Sequence, residues 1–149
     1  MKKINIRINK MKLIGFILTS ATLFCLSFIS VNESTQDAPW VAPKEADSIK
    51  NPLKDNALAI TKGKSLYSQM CVVCHGAKGK GDGAAGASLK PKPTDFTSAA
   101  CQSQTDGALY WKLTEGKKLM ASYKKILKDE QRWQLISYMR ELEKNAAAK

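Results

Sequence analysis

The sequence predicts an all-α domain, and three segments of the 149-residue chain support this prediction. Apolar residues recur at near-helical spacing in residues 56–70, 105–115 and about 129–144. No alternation of strands and helices of the βαβ kind accompanies them. A chain of this length favours one domain with a small core. We therefore expect about three to five helices in a single domain.

The first and last of these segments predict how the helices pack. Gly63 and Tyr67 are four residues apart, so they share one helix face. Because glycine within a helix costs roughly 1 kcal/mol relative to alanine, its presence favours a close helix crossing. In the last segment Asp129 is a candidate N-cap. The apolar stripe of that segment comprises Trp133, Ile136, Met139 and Leu142.

The middle segment is bounded by residues that are typical of helix ends. Thr105 or Asp106 is expected to cap its start, and Gly116 to close it. Cys101 lies just before this segment, and we expect it to be a small buried hydrophobic residue.

The strongest functional signal is the pentapeptide Cys71-Val72-Val73-Cys74-His75. It has the C-x-x-C-H pattern of covalent c-type haem attachment. On one helical turn the two sulfurs lie on the same side and can each add to a vinyl group of the haem, while His75 directs its ring at the iron. A thioredoxin-like dithiol would need a βαβ setting. A structural zinc site would need more Cys or His ligands, whereas His75 is the only histidine.

Around this motif, residues 56 to 145 resemble the monohaem class I cytochromes c, particularly small bacterial ones with a Gly-Asp-Gly loop after the haem motif. The matching residues are Gly63, Tyr67, Cys71, Cys74, His75, Gly76, Gly79, Gly81, Asp82, Gly83, Leu89, Pro91, Pro93, Asp95, Phe96, Asp106, Gly107, Leu109, Tyr110, Gly116, Met120, Tyr123, Arg132, Trp133 and Tyr138. The resemblance implies a cytochrome c fold in which the first and last helices cross. It also implies one covalently bound haem c, attached through Cys71 and Cys74, with His75 as the proximal iron ligand.

A six-coordinate haem iron also needs a distal ligand, and Met120 is the candidate. It follows Gly116 between two predicted helices, where the distal methionine of the family falls. Met70 is too close to the proximal motif, and Met139 lies on the core stripe of the last helix. The remaining methionines, at positions 1 and 11, precede the domain.

Three local details bear on this haem site. The family usually has proline after the distal methionine, whereas this chain has Ala121, so the loop is expected to be less rigid. The glycine-rich residues 76–83 are predicted to form a turn that brings backbone close to the haem edge. By resemblance, a backbone carbonyl near Pro91 is expected to accept the second ring proton of His75.

The N-terminus has the pattern of an export segment. Residues 1–12 are basic, and residues 13–31 are a run of 19 residues without a charge. The positive-inside rule then places the rest of the chain on the periplasmic side of a bacterial inner membrane. The run approaches the roughly 20 residues that span a bilayer, and no clean cleavage motif follows it. Residues 1–31 are therefore predicted to be a signal peptide or, by a slight preference, an uncleaved anchor.

Residues 32–55 are predicted to be an extended linker, since they contain Pro39, Pro43 and Pro52 and little periodicity. Trp40 within this linker has two interpretations. It is either an anchor at the membrane interface or a residue that packs on the domain surface. The cytochrome c domain is expected to cover residues 56–145.

The charge of the chain bears on its partners. The formal net charge is +11, but five basic residues lie in the first twelve; 24 − 5 leaves 19 basic against 13 acidic residues, or +6. Two haem propionates would lower this further. An acidic redox partner is compatible with such a body. Nucleic-acid binding is not favoured, because the lysines are scattered and no nucleic-acid motif accompanies them.

Taken together, these features predict a carrier of single electrons and not a catalyst, since no substrate pocket or acid–base pair is visible in the sequence. The expected partners are redox proteins, such as membrane oxidoreductases or a terminal oxidase. Two alternatives remain. One is a fixed cytochrome subunit of a larger membrane oxidoreductase. The other is a five-coordinate haem enzyme or gas sensor, which would require that Met120 not bind the iron.

Overall fold

The computed structural model describes residues 39–147, apart from the side chains of residues 143, 146 and 147. The chain divides into two compact units, Met1–Pro39 and Trp40–Lys149. The predicted export segment, residues 1–31, lies outside the described residues, and the boundaries at 31, 55 and 145 stay predictions. Within residues 39–147, no helix is both long enough and apolar enough to cross a bilayer.

The described part of the second unit is helical. The helices are α1 (Lys44–Asp47), α2 (Ala57–Met70), α3 (Val72–His75), α4 (Ala99–Gln102), α5 (Asp106–Glu115) and α6 (Asp129–Ala147). Between residues 39 and 147 the only β pairing is an isolated bridge from Lys117 to Met120. The all-α prediction is confirmed, with α2, α5 and α6 matching the three predicted segments and the other helices each one turn long.

Side-chain caps explain where α2 and α5 begin. The Asn56 side chain accepts a hydrogen bond from the Ala59 amide, and the Thr105 hydroxyl accepts one from the Ala108 amide, both at 3.0 Å. Such a cap contributes typically about 1 kcal/mol. Of the two predicted caps of α5, Thr105 is therefore the one used. Gly116 ends α5 with φ of +69°, a left-handed conformation that glycine adopts without strain.

The core is built where α2 crosses α6, and Gly63 makes that crossing possible. A Cβ atom on Gly63 would lie 2.0 Å from the carbonyl oxygen of Gln134. The Tyr67 and Tyr138 rings meet edge to face next to it, with centroids 5.3 Å apart. Tyr67 and Ile136 are buried almost completely, at 1% and 0% exposure. The predicted close crossing of the first and last long helices is confirmed.

The segment predicted to be an extended linker is partly folded onto the domain. Ala46 of α1 is buried, and a Cβ on Gly107 would lie 2.0 Å from the Ala46 carbonyl oxygen, so α1 packs against the start of α5. The Asn51 side-chain amide donates to Asp106 Oδ2 at 3.0 Å. The Lys112 ammonium lies over the Trp40 ring, with Nζ 5.7 Å from the ring centroid. Of its two interpretations, packing on the domain surface is the one observed.

Candidate functional site

Cys71 lies between α2 and α3, and Cys74 and His75 lie on the single turn of α3. The Cys71 amide donates to the Tyr67 carbonyl at 2.9 Å, and the His75 amide donates to the Cys71 carbonyl at 2.8 Å. Cys71 and Cys74 are half-buried and form no disulfide. Burial, with a further contribution from Cys74, raises the pKa of the Cys71 thiol to about 11. Both sulfurs are therefore placed as neighbouring thiols, as the motif predicts.

The His75 ring is oriented by two contacts. Its Nδ1 lies 3.2 Å from the Thr94 carbonyl oxygen. Because a carbonyl only accepts hydrogen bonds, Nδ1 carries the proton and Nε2 keeps its lone pair for a metal. The ring also stacks on Phe96, with centroids 4.4 Å apart and planes 17° from parallel. Burial lowers the pKa of His75, and the hydrogen bond to Thr94 partly opposes this effect, so the neutral ligand form is favoured.

The expected acceptor for His75 was a carbonyl near Pro91, and the observed one belongs to Thr94, three residues further along. The shift follows from the glycine-rich turn. The Gly81 amide donates to the His75 carbonyl at 2.9 Å, and a Cβ on Gly81 would lie 2.3 Å from the Pro93 carbonyl oxygen. This close approach brings the backbone just after Pro93 beneath the imidazole.

The segment after the motif is also fastened to the core. The Tyr67 hydroxyl donates to the Gly76 carbonyl at 2.8 Å, and the Phe96 amide donates to the Gly79 carbonyl at 2.7 Å. Desolvation by burial, with smaller contributions from neighbouring acidic groups, holds the pKa of the Tyr67 hydroxyl well above its ordinary value, so this group remains a donor. The position of His75 therefore depends on Tyr67, Thr94 and Phe96, which lie outside the pentapeptide.

Met120 lies in the loop between α5 and α6. Its amide and carbonyl both pair with Lys117, each at 3.0 Å, and its side chain packs against the hydrophobic core. Burial, with further contributions from Cys71 and Cys74, raises the pKa of Tyr123, which lies three residues after Met120. Among the described contacts, none joins Met120 to His75.

Sequence reasoning missed two contributors to the site. The role of Thr94 is carried by its backbone, so its residue type gives no signal. Phe96 was part of the family pattern, but the pattern does not indicate that its ring stacks on the histidine. Cys101 is buried, at 2% exposure, as predicted.

The donor set fits a haem that is attached covalently. Two thiols that are not paired with one another lie on the same turn as an imidazole whose Nδ1 is already engaged, leaving Nε2 for iron. Between residues 39 and 147, no group of three or more His, Cys, Asp or Glu side chains could hold a bare metal ion.

Comparison with known proteins agrees with this chemistry. Residues 58–139 match the family model described as cytochrome c oxidase, cbb3-type, subunit III. Among solved structures, a chain of the reducing HAO-like protein complex of Kuenenia stuttgartiensis is similar, with a TM-score of 0.54 and 29% identity. That match covers 63% of this chain and 49% of the other, so this chain spans about half the length of its neighbour. No curated protein matches the chain.

The family match extends over more than half of the sequence and includes the haem motif, α5 and the first half of α6. It confirms the resemblance to class I c-type cytochromes, and with it a covalently bound haem c and transfer of electrons by that haem. The chain belongs to the c-type cytochrome family described as cytochrome c oxidase, cbb3-type, subunit III.

Proposed function

We propose that this chain transfers single electrons through one haem c held by Cys71, Cys74, His75 and Met120. The observation that carries the proposal is the hydrogen bond from His75 Nδ1 to the Thr94 carbonyl, because it leaves Nε2 as the free ligand atom beside two thiols. The bound haem supplies an iron that alternates between Fe(II) and Fe(III). The chain binds and orients that group, and limits the access of water to it.

Each residue of the site has a distinct role in this proposal. Cys71 and Cys74 hold the group through thioether bonds, and His75 provides the proximal nitrogen. The stacked Phe96 ring covers one face of the imidazole, and Thr94 fixes its orientation. Met120 provides a soft sulfur, which favours the ferrous state and raises the reduction potential.

The position of its loop supports Met120 as the distal ligand. The loop begins at Gly116 and folds back so closely that a Cβ there would lie 2.6 Å from the Met120 carbonyl oxygen. Further along the loop, the pKa of Tyr123 is raised by burial and then by the two cysteine thiols.

We further propose an exported location and redox protein partners. The basic residues 1–12 followed by the uncharged residues 13–31 support export to the periplasmic side of a bacterial inner membrane, as a soluble or an anchored protein. The partners we propose are membrane oxidoreductases or a terminal oxidase of a respiratory-type chain. We propose no nucleic-acid partner, because no nucleic-acid motif accompanies the scattered lysines.

A fixed subunit of a larger complex is the second candidate. The matching family is described as an oxidase subunit, and the similar solved chain belongs to a protein complex. Co-purification from solubilised membranes distinguishes the two forms. A mobile carrier separates from other haem proteins in mild detergent and salt, whereas a fixed subunit stays with them at constant ratio.

The ligands are tested by the absorption spectrum of the purified holoprotein, oxidised and reduced, with carbon monoxide added to the reduced form. We expect a low-spin spectrum, a thioether-to-iron charge-transfer band in the ferric state and no rapid reaction with carbon monoxide. Met120→Ala should lose the band and bind carbon monoxide at once. Met139→Leu on the core stripe is the matched control and should keep both wild-type properties. Rapid binding by the wild type would favour the gas sensor or enzyme over the carrier.

A further inference from the structure

The loop that carries Met120 is tied to both helices that flank it. Towards α5, the Tyr123 amide donates to the Leu113 carbonyl and the Lys124 amide donates to the Thr114 carbonyl, each at 3.2 Å. Towards α6, the Arg132 amide donates to the Lys128 carbonyl at 3.1 Å, and Arg132 Nη1 donates to the Lys124 carbonyl at 3.2 Å. Lys124 is thus held through its amide on one side and its carbonyl on the other.

Arg132 is itself fixed by a network in which its own side chain is buried and the Asp129 side chain is 72% exposed. Its side chain is only 9% exposed, and its Nη2 lies 2.6 Å from Asp129 Oδ1. The same Nη2 donates to the Tyr110 hydroxyl at 2.7 Å, and that hydroxyl donates to Asp129. The Tyr110 ring stacks on Trp133, with centroids 3.9 Å apart and planes 12° from parallel. A guanidinium offers five donors in a planar fork, so one side chain can serve the carboxylate, the hydroxyl and the carbonyl together.

The loop needs such a tie because of its sequence. Ala121 follows Met120, so the backbone there lacks the fixed φ that a proline would impose. A loop with that freedom has more open conformations to lose, and contacts elsewhere must select one of them. The contact between Arg132 and Lys124 acts four residues after the methionine, at the point where the chain turns towards α6.

We propose that Arg132 is a positioning residue for the axial methionine. It bridges the Lys124 carbonyl to the Tyr110–Asp129 pair and so holds residues 116–128 in the conformation that keeps Met120 in place. This inference rests on the proposed function, in which Met120 is the distal ligand. Arg132 does not touch the iron site; it acts through the backbone of the loop.

Arg132→Gln tests this, with Arg140→Gln as the matched control. Arg140 is also on α6 and pairs with Asp106 at 2.7 Å, but it also donates to the carbonyls of Gln102 and Gln104, at and just after the end of α4 and away from the Met120 loop. In Arg132→Gln we expect a weakened thioether charge-transfer band and roughly tenfold faster binding of carbon monoxide to the ferrous protein, as expected for the loss of a hydrogen bond from a charged donor. Arg140→Gln should match the wild type in both measurements.

Amide hydrogen exchange provides a readout that does not depend on the iron. The amides of Tyr123 and Lys124 should exchange roughly tenfold faster in Arg132→Gln than in Arg140→Gln. Tyr110→Phe keeps the ring stacked on Trp133 and removes only the hydroxyl, so it should change the band and exchange in the same direction by less. This milder variant decides the question if Arg132→Gln does not fold.

The outcomes separate this inference from the proposed function. If the wild type has the thioether band and both Arg132→Gln and Tyr110→Phe behave as Arg140→Gln does, the positioning role is wrong and the ligation stands. If the wild type has no thioether band, the ligation by Met120 is wrong, and the inference is overturned with it. A lost band with faster exchange confined to residues 116–128 supports both.

Discussion

At the residue level, the haem motif depends on side chains that lie outside it. The clearest is Tyr67, whose ring is buried in the core while its hydroxyl donates to the Gly76 carbonyl at 2.8 Å. Gly76 follows His75 directly and leaves α3 with φ of +76°. One buried hydroxyl thus holds the backbone at the point where the chain turns from the motif into the glycine-rich loop.

This contact gives a first prediction. Tyr67→Phe keeps the ring but leaves the Gly76 carbonyl without its partner, so we expect a loss of about 1–3 kcal/mol in the free energy of unfolding. The measurement is chemical denaturation of the ferric holoprotein. Tyr138→Phe is the control, because its ring meets Tyr67 edge to face, yet no hydrogen bond of its hydroxyl is described. Equal losses in the two variants would show that the Gly76 contact contributes nothing.

At the level of elements, the crossing of α2 and α6 sets the separation of the two longest helices. Gln134 and Ser137 on α6 are buried polar residues, each at 5% exposure, so α6 is enclosed on more than its apolar stripe. Ser137 donates to the Leu53 carbonyl at 3.1 Å, which joins α6 to the segment before α2. The central part of α6, residues 132–138, is therefore buried on all its faces.

The second prediction concerns Gly63 at this crossing. Gly63→Ala should destabilise the fold by about 1–3 kcal/mol, because the new methyl group would lie 2.0 Å from the Gln134 carbonyl and force the helices apart. The higher helix propensity of alanine, about 1 kcal/mol, opposes this and is outweighed. Lys64→Ala, exposed on the same helix, is the control for propensity. A urea midpoint for Gly63→Ala at or above that of the control would contradict the prediction.

The elements also separate what the sequence could predict from what it could not. Periodicity located α2, α5 and α6, because apolar residues recur at helical spacing in these segments. The glycine at position 63 indicated the crossing, because glycine within a helix is unfavourable unless another helix approaches closely. Helices of one turn such as α1 are too short to produce a period. Arg132 belongs to the family pattern and Trp40 had packing on the domain as one interpretation, but their contact partners were not predictable, since an aromatic in a linker and a charge on a helix are usually exposed. Their contacts come from distant parts of the chain.

The same distinction between local sequence patterns and contacts made in the fold applies to the residues of the site. Cys71, Cys74 and His75 are adjacent in sequence, and so one turn of helix brings them together. The ligand role that we propose for Met120 depends on how a loop closes 45 residues after His75, and the hydrogen bond from His75 ends on a backbone carbonyl. Neither depends on a local pattern, because loop position is set by tertiary contacts such as that between Arg132 and Lys124.

At the level of the whole molecule, net charge bears on how this cytochrome would meet the redox partners that we propose. Beyond the first twelve residues the chain carries 19 basic and 13 acidic residues, a net charge of +6 before the propionates of a bound haem. Five of the lysines, at positions 117, 118, 124, 125 and 128, lie on or beside the loop that carries Met120. These lysines lie beside the proposed distal ligand, where their charge can help to steer anionic reactants.

The last prediction follows from the sign of this field. Oxidation of the ferrous protein by a small anionic iron complex should slow as ionic strength rises, because salt screens an attraction; oxidation by a cationic cobalt complex should accelerate. Lys125→Gln should weaken both salt dependences. Lys62→Gln, on α2 and also exposed, removes the same charge elsewhere and should weaken them less. Stopped-flow rates over a salt series measure these slopes. Equal slopes for the two lysine variants would mean that the net charge of the protein, and not the lysines beside Met120, directs the encounter.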